Sequence, residues 1–411
     1  MAEGERIATM DILRGFALLG IFLMNIEFFN RPLQDFSSGL PIAHGIDHLA
    51  GWLIYVFVQG KFWVLFSLLF GMGFAVMRDR AAAAGRPFLG LYLRRVLLLA
   101  AFGLAHIVLV WVGDILFAYA LGALALLVFM NVRGHALWVL GAMFYFGIAA
   151  LWILIGWAMG FMPPEAAEPM AREMAVYAAE GQAAAAIYGQ GSFFEITQLR
   201  IADYFGFLFA NAVLFQLPMM LGTFLIGTWL VRSGRIQRAN EHRRFFAVLG
   251  LVGVLLAALF ISASLSVGTY FDPSTGFAKA MVAMGLMAMG NMPLSLAYLS
   301  AVVLLCTLPN MAKGLSVFAP AGRMALTNYL SQSLICSLVF YGYGLGLFGD
   351  LGRAAQVGFV FVVFSAQLLF SHAWMARFSV GPAEALWRAG TYLQRPHWKR
   401  TQRLPEVQRG G

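Results

Sequence analysis

A histidine and an aspartate lie eight positions apart in an otherwise apolar stretch of the sequence, GLAHIVLVWVGDILFAY at residues 103–119. Ionisable side chains are costly inside a bilayer, so His106 and Asp114 are candidates for a functional site. A nearby carboxylate raises the basicity of an imidazole, and such a histidine can act as a general base. The alternative is that His106 has a hydrogen-bonded structural role.

Two local geometries would bring His106 and Asp114 together. If the helix continues past Trp111, a separation of about two helical turns places both side chains on one face. If the chain instead turns near Val112 and Gly113, Asp114 becomes an N-cap or first-turn acid of the next helix, where the helix dipole favours a carboxylate. The charge distribution described below favours the turn, in which Asp114 need not be deeply buried.

The first long apolar segment, MDILRGFALLGIFLMN at residues 10–25, carries polar groups at both ends. Asp11 and Arg14 are three positions apart on one helix face, which predicts a local ion pair. Asn25 lies near the opposite end of the same helix. Both mouths of this span are therefore predicted to be polar.

A late segment, GRMALTNYLSQSL at residues 322–334, carries a polar stripe with steps of three and four residues. The stripe consists of Arg323, Thr327, Asn328, Gln332 and Ser333. Such stripes can hold helices together through hydrogen bonds. The alternative is that they line a path for a polar ligand that enters from the cytoplasm.

Four further polar residues are candidates on the substrate side: His44, Asp47, His48 and Lys61. The first three stand close together in PIAHGIDHLA and could form an acid/base or metal cluster, although such groups in a loop are usually just solvated. Lys61 begins an apolar run, where snorkelling of its ammonium group explains its position. The two cysteines lie in apolar runs without the spacing of a metal site, and we predict no bound metal.

The composition indicates that these residues are positioned by membrane helices. Of the 411 residues, 61% are hydrophobic and only 11% are charged, whereas soluble domains average about 25% charged residues. Apolar runs of about 20 residues are long enough to span a bilayer as helices. The sequence therefore predicts an all-α, polytopic membrane protein with about ten transmembrane helices. The predicted spans are residues 13–29, 61–77, 94–111, 114–131, 136–160, 204–231, 246–267, 278–307, 324–342 and 355–375.

The distribution of charge predicts the orientation of the chain. Most of the 28 basic residues fall in alternate loops, and five glutamates fall in the loop between the fifth and sixth spans. By the positive-inside rule, both termini of this multi-pass protein are predicted to be cytoplasmic. The net charge of +9 is spread over these loops rather than gathered in one patch, which argues against nucleic-acid binding.

We predict a single transmembrane domain at residues 1–395, followed by a basic cytoplasmic tail at residues 396–411. The long loop at about residues 161–203 has a helix-forming composition after a Pro-Pro start, which predicts an extracytoplasmic helical hairpin or cap. Residues 46–59 are too short to span and predict an interfacial or re-entrant helix on the outer side.

The segments DILRGFALLGIFLMN, GKFWVLFSLLFGMGFA, GLAHIVLVWVGDILFAYALGAL, GRMALTNYLSQSL and GPAEALWRAGTY together resemble the YeiB-like bacterial membrane proteins, also called domain of unknown function 418. The resemblance extends from about residue 7 to about residue 393, and it implies a multi-pass protein of the bacterial cytoplasmic (inner) membrane. That family is in turn similar to transmembrane acyltransferases, which share an Asp and an Arg-Gly pair three residues later. Here these positions are Asp11, Arg14 and Gly15. Asn25 matches the asparagine of the heparan-glucosaminide acetyltransferases, whereas acyltransferase-3 proteins have a histidine there.

The resemblance implies acyl transfer from cytoplasmic acyl-CoA, with acetyl-CoA as the expected donor, to an extracytoplasmic hydroxyl or amine. In that case His106 would be the base, Asp114 would orient it, and Asn25 would donate to the oxyanion. Arg14, Arg323 and the stripe would bind the donor. The other expected partners are membrane lipids, and a homo-oligomer is left open. The alternative is a transporter or lipid-linked exporter that performs no covalent chemistry, because transport sites also use polar groups within the membrane.

Overall fold

The computed structural model describes residues 8–35, 44–269, 275–394 and 398 of the chain. Helices without any β-strand make up the regular structure of these residues. The α-helices of five or more residues are α1 (Ala8–Asn30), α2 (Gly45–Phe57), α3 (Lys61–Ala83), α4 (Phe88–Leu109), α5 (Leu116–Leu126), α6 (Ala136–Met159), α7 (Pro164–Gln190), α8 (Phe193–Asp203), α9 (Leu217–Arg232), α10 (Arg243–Val267), α11 (Phe277–Cys306), α12 (Pro309–Leu315), α13 (Ala319–Arg323), α14 (Ala325–Phe340), α15 (Arg353–Arg377) and α16 (Pro382–Tyr392). The predicted basic tail lies outside the described residues, except for Trp398.

Within the described residues, eight helical segments are long and apolar enough to cross a membrane. Two shorter apolar helices, Leu116–Phe129 and Ala325–Phe340, correspond to the fourth and ninth predicted spans. The prediction of an all-helical membrane protein is confirmed at this level. The count of ten spans and the cytoplasmic position of both termini stay predictions.

Helix α1 lies at the centre of the fold and packs against α3, α13, α14 and α15. Glycines permit the closest of these contacts. A Cβ atom added at Gly15 would clash with the carbonyl oxygen of Phe318, and one added at Gly322 would clash with that of Asp11. The backbones of α1 and α13 are therefore in direct contact, which explains why small residues occupy both positions.

A second group of helices packs beside α1. Helix α9 contacts both α3 and α6, and α11 contacts α3, α6 and α10. In the outer helices α4, α6 and α10, only 22% of the most apolar 18-residue stretch is buried inside the protein. The corresponding share for α1 is 67%. Their exposed surfaces are largely apolar, as expected for helices that face lipid.

The two irregular segments noted in the sequence are both helical. Helix α2 ends at Phe57, and α3 begins after Gly60, whose φ of 78° turns the chain. Helix α7 fills most of the predicted outer loop. The following helix begins at Phe193 rather than near residue 204, because Ser192 and Glu195 form a reciprocal capping box. From there the helical path continues to Arg232, with π-helical turns at Tyr204–Leu208 and Ala212–Gln216.

Candidate functional site

Helices α4 and α5 form a hairpin that positions the candidate base. Helix α4 ends at Leu109, and the chain turns before α5 begins at Leu116, as predicted from the charge distribution. The Oδ1 atom of Asp114 accepts a hydrogen bond of 2.8 Å from the backbone N–H of Phe117. This bond satisfies one of the free N–H groups at the start of α5, so the carboxylate fixes the turn as well as its own position.

His106 and Asp114 are in direct contact within the protein interior. The Nδ1 atom of His106 lies 2.8 Å from Oδ2 of Asp114, and the two side chains are 1% and 0% exposed. The expectation that Asp114 need not be deeply buried is therefore wrong. The turn itself is covered by neighbouring helices, which the sequence of the hairpin does not reveal.

The second ring nitrogen of His106, Nε2, is the atom of this pair that could act as a base. When the imidazole is neutral and faces an ionised Asp114, which only accepts hydrogen bonds, Nδ1 carries the proton and Nε2 has a free lone pair. Nε2 is buried and has no hydrogen-bond partner among the residues that the structure describes. The tyrosine ring of Tyr329, on α14, lies 5.4 Å from the imidazole. In that tautomer, His106 is a buried base with an unused lone pair, and its ring lies beside the ring of Tyr329.

Trp111 is a member of this site that the sequence analysis did not identify. Its indole lies 6.3 Å from the imidazole of His106 and stacks on Phe29 of α1 at 4.1 Å. The indole Nε1–H is buried and has no acceptor among the described residues. Buried polar atoms without partners are uncommon and point to strain or to a missing ligand or water. The only signal in the sequence was a tryptophan just before the Gly-Asp turn.

Arg200 braces the hairpin from α8. Its guanidinium is 0% exposed and donates to the carbonyl of Val110 at 2.5 Å and to the hydroxyl of Thr197 at 2.6 Å. A cation at this carbonyl interacts favourably with the C-terminal end of the α4 dipole. The sequence predicted only an outer loop at Arg200, because this role depends on the fold, which brings α8 to the end of α4.

On α1, the predicted ion pair between Arg14 and Asp11 is present at 3.1 Å. Asn25 is 9% exposed. No hydrogen bond joins Asn25 to His106 or Asp114. Its suggested role as an oxyanion donor therefore stays a prediction without a contact that supports it.

The polar stripe of α14 is engaged in contacts between helices. Asn328 donates to the hydroxyl of Ser371 at 3.0 Å, and Gln332 donates to Gln367 at 3.0 Å. Both partners lie on α15. These bonds favour the helix-packing alternative for Asn328 and Gln332, since a ligand would have to displace them.

Thr327 and Arg323 contact the C-terminal region. The hydroxyl of Thr327 donates to Glu384 of α16 at 2.6 Å, and Arg323 donates to the carbonyl of Ser379 at 3.3 Å. Glu384 also accepts from the backbone N–H of Leu326, so it caps the start of α14. Burial raises the pKa of Glu384 above its ordinary value, and its hydrogen bonds oppose that shift. Sequence reasoning missed this carboxylate.

The substrate-side candidates do not form one cluster. His44 and His48 are exposed, whereas Asp47 accepts a hydrogen bond of 2.8 Å from the backbone of Ala354 at the start of α15. Asp47 is thus a helix-capping residue. No group of three or more metal-binding side chains occurs in the part of the chain that the structure describes.

Snorkelling does not explain Lys61. Its side chain is 0% exposed, and its Nζ atom donates to the carbonyl of Tyr55 at 3.0 Å and lies 3.4 Å from the sulfur of Met287. Its amino group is enclosed between the carbonyl of Tyr55 on α2 and the side chain of Met287 on α11. That correction follows from the position of α2, which the local sequence did not indicate.

Comparison with known proteins places these features in a family. Residues 230–394 match a family described as "Protein of unknown function (DUF418)". The chain is 32% identical over 405 residues to the uncharacterized protein YxaH of Bacillus subtilis (strain 168), with 95% of each chain covered. It is 30% identical over 401 residues to the uncharacterized protein YeiB of Escherichia coli (strain K12), covering 93% of this chain and 96% of that one. No solved structure matches the chain.

Proposed function

The chain belongs to the DUF418 family of YeiB-like membrane proteins, and we propose that it is a membrane-embedded acyltransferase with His106 as its general base. The observation that carries this proposal is the buried pair of His106 and Asp114, in which the free Nε2 atom has no partner among the described residues. A base that is oriented by a carboxylate and shielded from water suits acyl transfer to a hydroxyl or amine.

In the proposed reaction, Nε2 of His106 removes a proton from the acceptor as the acceptor oxygen or nitrogen attacks the thioester carbonyl of acyl-CoA. Asp114 stabilises the imidazolium that forms. The tetrahedral intermediate then expels the CoA sulfur, which takes up the proton from His106, and the acyl group remains on the acceptor. The indole N–H of Trp111, which has no acceptor among the described residues, would donate to the oxyanion, and Asn25 is the donor that the resemblance suggests.

The donor would come from the cytoplasm and the acceptor from the outer side of the inner membrane, with both termini inside. Arg14 and Arg323 are proposed to bind the CoA phosphates, since arginine suits multidentate phosphate binding. Thr327, Asn328 and Gln332 would then contribute mainly by fixing α14. Their hydrogen bonds to α15 and α16 support that division of roles.

The test uses inside-out membrane vesicles that contain the full-length protein. Release of free CoA thiol from acetyl-CoA is measured in vesicles that were sealed with or without an extract of the cell envelope in their lumen, which is the proposed acceptor side. We expect acceptor-dependent release, and we expect the H106Q and D114N variants to lose about 100-fold or more, the usual contribution of general-base catalysis. H372Q is the matched control, because His372 is exposed on α15. Full activity in H106Q would contradict the proposal.

The alternative, transport without covalent chemistry, has one specific observation in its favour. The π-helical turns at Tyr204–Leu208 and Ala212–Gln216 interrupt an apolar helix, and such irregularities often occur at functional sites and in transporters. Binding of acetyl-CoA to the purified protein separates the two functions. A transferase should bind it and lose affinity in R323A, whereas a transporter of other molecules should show no saturable binding.

A further inference from the structure

A cavity of about 450 Å³ lies beneath α7, apart from the histidine site. Its wall is formed by α7, by the end of α8 with the π-helical turn that follows, and by the residues after α1. The side chains that matter for its chemistry are Gln34, Tyr177, Glu180, Asp203 and Phe207. The volume lies within the range of about 300–1,000 Å³ that is typical of small-molecule sites.

Asp203 is the buried charge of this cavity. It is 8% exposed and accepts hydrogen bonds from Gln34 at 3.1 Å and from the hydroxyl of Tyr188 at 3.3 Å. Both donors are neutral, and no Lys, Arg or His in the described part of the chain lies within ion-pair distance of Asp203. A buried carboxylate without a cation is costly, because its charge is removed from water without an opposite charge nearby.

The basic residues of the neighbourhood are engaged elsewhere. Arg200, one turn before Asp203 on α8, donates to Val110 and Thr197. Arg31, near the end of α1, lies 2.6 Å from Glu27. Glu180 adds a second carboxylate at the exposed edge of the cavity. The cavity is therefore acidic, and neither of these arginines neutralises its buried carboxylate.

Aromatic rings complete the lining. The rings of Tyr177 and Phe207 lie 5.2 Å apart. The hydroxyl of Tyr177 is buried and has no hydrogen-bond partner among the described residues. Burial, together with the charges of Asp203 and Glu180, raises the pKa of Tyr177, so this hydroxyl stays neutral and can accept or donate a hydrogen bond. Aromatic faces beside a carboxylate are the usual surroundings of an organic ammonium ion.

We propose that this cavity binds a small organic ammonium ion, whose charged nitrogen pairs with Asp203 and whose apolar part packs between the rings of Tyr177 and Phe207. The ligand supplies the cation that Asp203 lacks and a partner for the hydroxyl of Tyr177. This site does not depend on the acyltransferase proposal. It would hold equally well in a protein that binds or moves amines.

The test measures binding to the full-length protein in nanodiscs by isothermal titration calorimetry. Three probes share one ring and differ in charge: 2-phenylethylammonium, 2-phenylethanol and 3-phenylpropanoate. We expect saturable binding of the ammonium probe only. D203N should weaken it by at least about tenfold, because it removes the buried partner of the charge. Y177F should weaken it less, since the ring remains and only the hydroxyl is lost.

Glu173 provides the matched control. It is an exposed acid on α7 that does not line the cavity, so E173Q should bind the ammonium probe as the wild type does. The unfolding temperature of each ligand-free variant shows whether D203N has disturbed the fold, and Y177F tests the site independently of that. Three results would each overturn the proposal. They are equal binding of the alcohol and the ammonium probe, unchanged binding in both D203N and Y177F, and no binding of the ammonium probe.

Discussion

The Nη1 atom of Arg353 lies 2.6 Å from Oε2 of Glu27, and the two side chains are only 10% and 2% exposed. This ion pair joins the start of α15 to the C-terminal half of α1. Arg31 completes the group, with its Nε atom 2.6 Å from the other carboxylate oxygen of Glu27. One buried carboxylate thus links two guanidinium groups from distant parts of the sequence.

Removing one member of this group should destabilise the protein strongly. In R353M, Glu27 keeps its charge and its pair with Arg31 but loses its interhelical partner, and a loss of up to about 3–5 kcal/mol in the free energy of unfolding is expected. The double variant with E27L should lose less than the sum of the two single variants. Unfolding in mixed micelles measures these differences.

The control is E168Q, which breaks the pair of Glu168 and Arg172 on α7. That pair has the same distance of 2.6 Å, but its side chains are 59% and 75% exposed. A change of roughly 0–1 kcal/mol is expected there, because exposed pairs contribute little. If R353M lowered the free energy of unfolding by no more than E168Q does, burial would not be the reason why the ion pairs of Glu27 stabilise the protein.

Glycines determine how closely α3 and α9 approach. A Cβ at Gly71 would clash with the carbonyl oxygen of Phe224, and one at Gly227 would clash with that of Leu68. G71A and G227A should each lower the free energy of unfolding by roughly 1–3 kcal/mol, the usual cost of overpacking. G147A is the control, because nothing lies within 4 Å of a Cβ placed there on α6. A loss in G147A as large as in G71A would mean that helix packing is not the cause.

Glu384 should make stability depend on pH. Burial raises its pKa in the folded protein, so the folded state holds the proton more tightly than the unfolded state does. This contribution to stability is complete below the ordinary value of 4.5 and is lost as the pH rises through the folded pKa. The E384Q variant keeps the acceptor for Leu326 but cannot ionise. Its unfolding temperature, measured from pH 4 upward, should fall less than that of the wild type.

The sequence predicted the helical membrane fold because apolar length and charge distribution are local properties. The turn before Asp114 was predicted correctly for the same reason, since the distribution of basic residues requires the chain to turn between the third and fourth predicted spans. The start of the helix at Phe193 was missed because the predicted span boundary, at residue 204, was based on apolar length. The capping box of Ser192 and Glu195 begins the helix earlier, in a polar segment. Burial of Lys61 and Asp114 was missed because it depends on α2 and on helices far away in the sequence.

The candidate site was predictable in part. His106 and Asp114 could be paired from their spacing, because two turns of helix or one hairpin bring them together. Trp111, Arg200, Asp203 and Glu384 could not be found in this way, since their partners lie on other helices. For the stripe of α14, the residue types alone could not distinguish a ligand path from helix packing. That distinction required the positions of Ser371 and Gln367 on α15.

Trp111 offers a test of the histidine site that leaves its base intact. W111F keeps an aromatic ring against Phe29 but removes the N–H that has no acceptor among the described residues. If this N–H stabilises the oxyanion, W111F should lower kcat for acetyl-CoA consumption by roughly 100-fold or more with little change in KM, as loss of an oxyanion donor does. W157F is the control, because Trp157 is 63% exposed on α6. Unchanged kcat in W111F, with H106Q inactive, would assign the oxyanion to another donor and leave Trp111 a packing role.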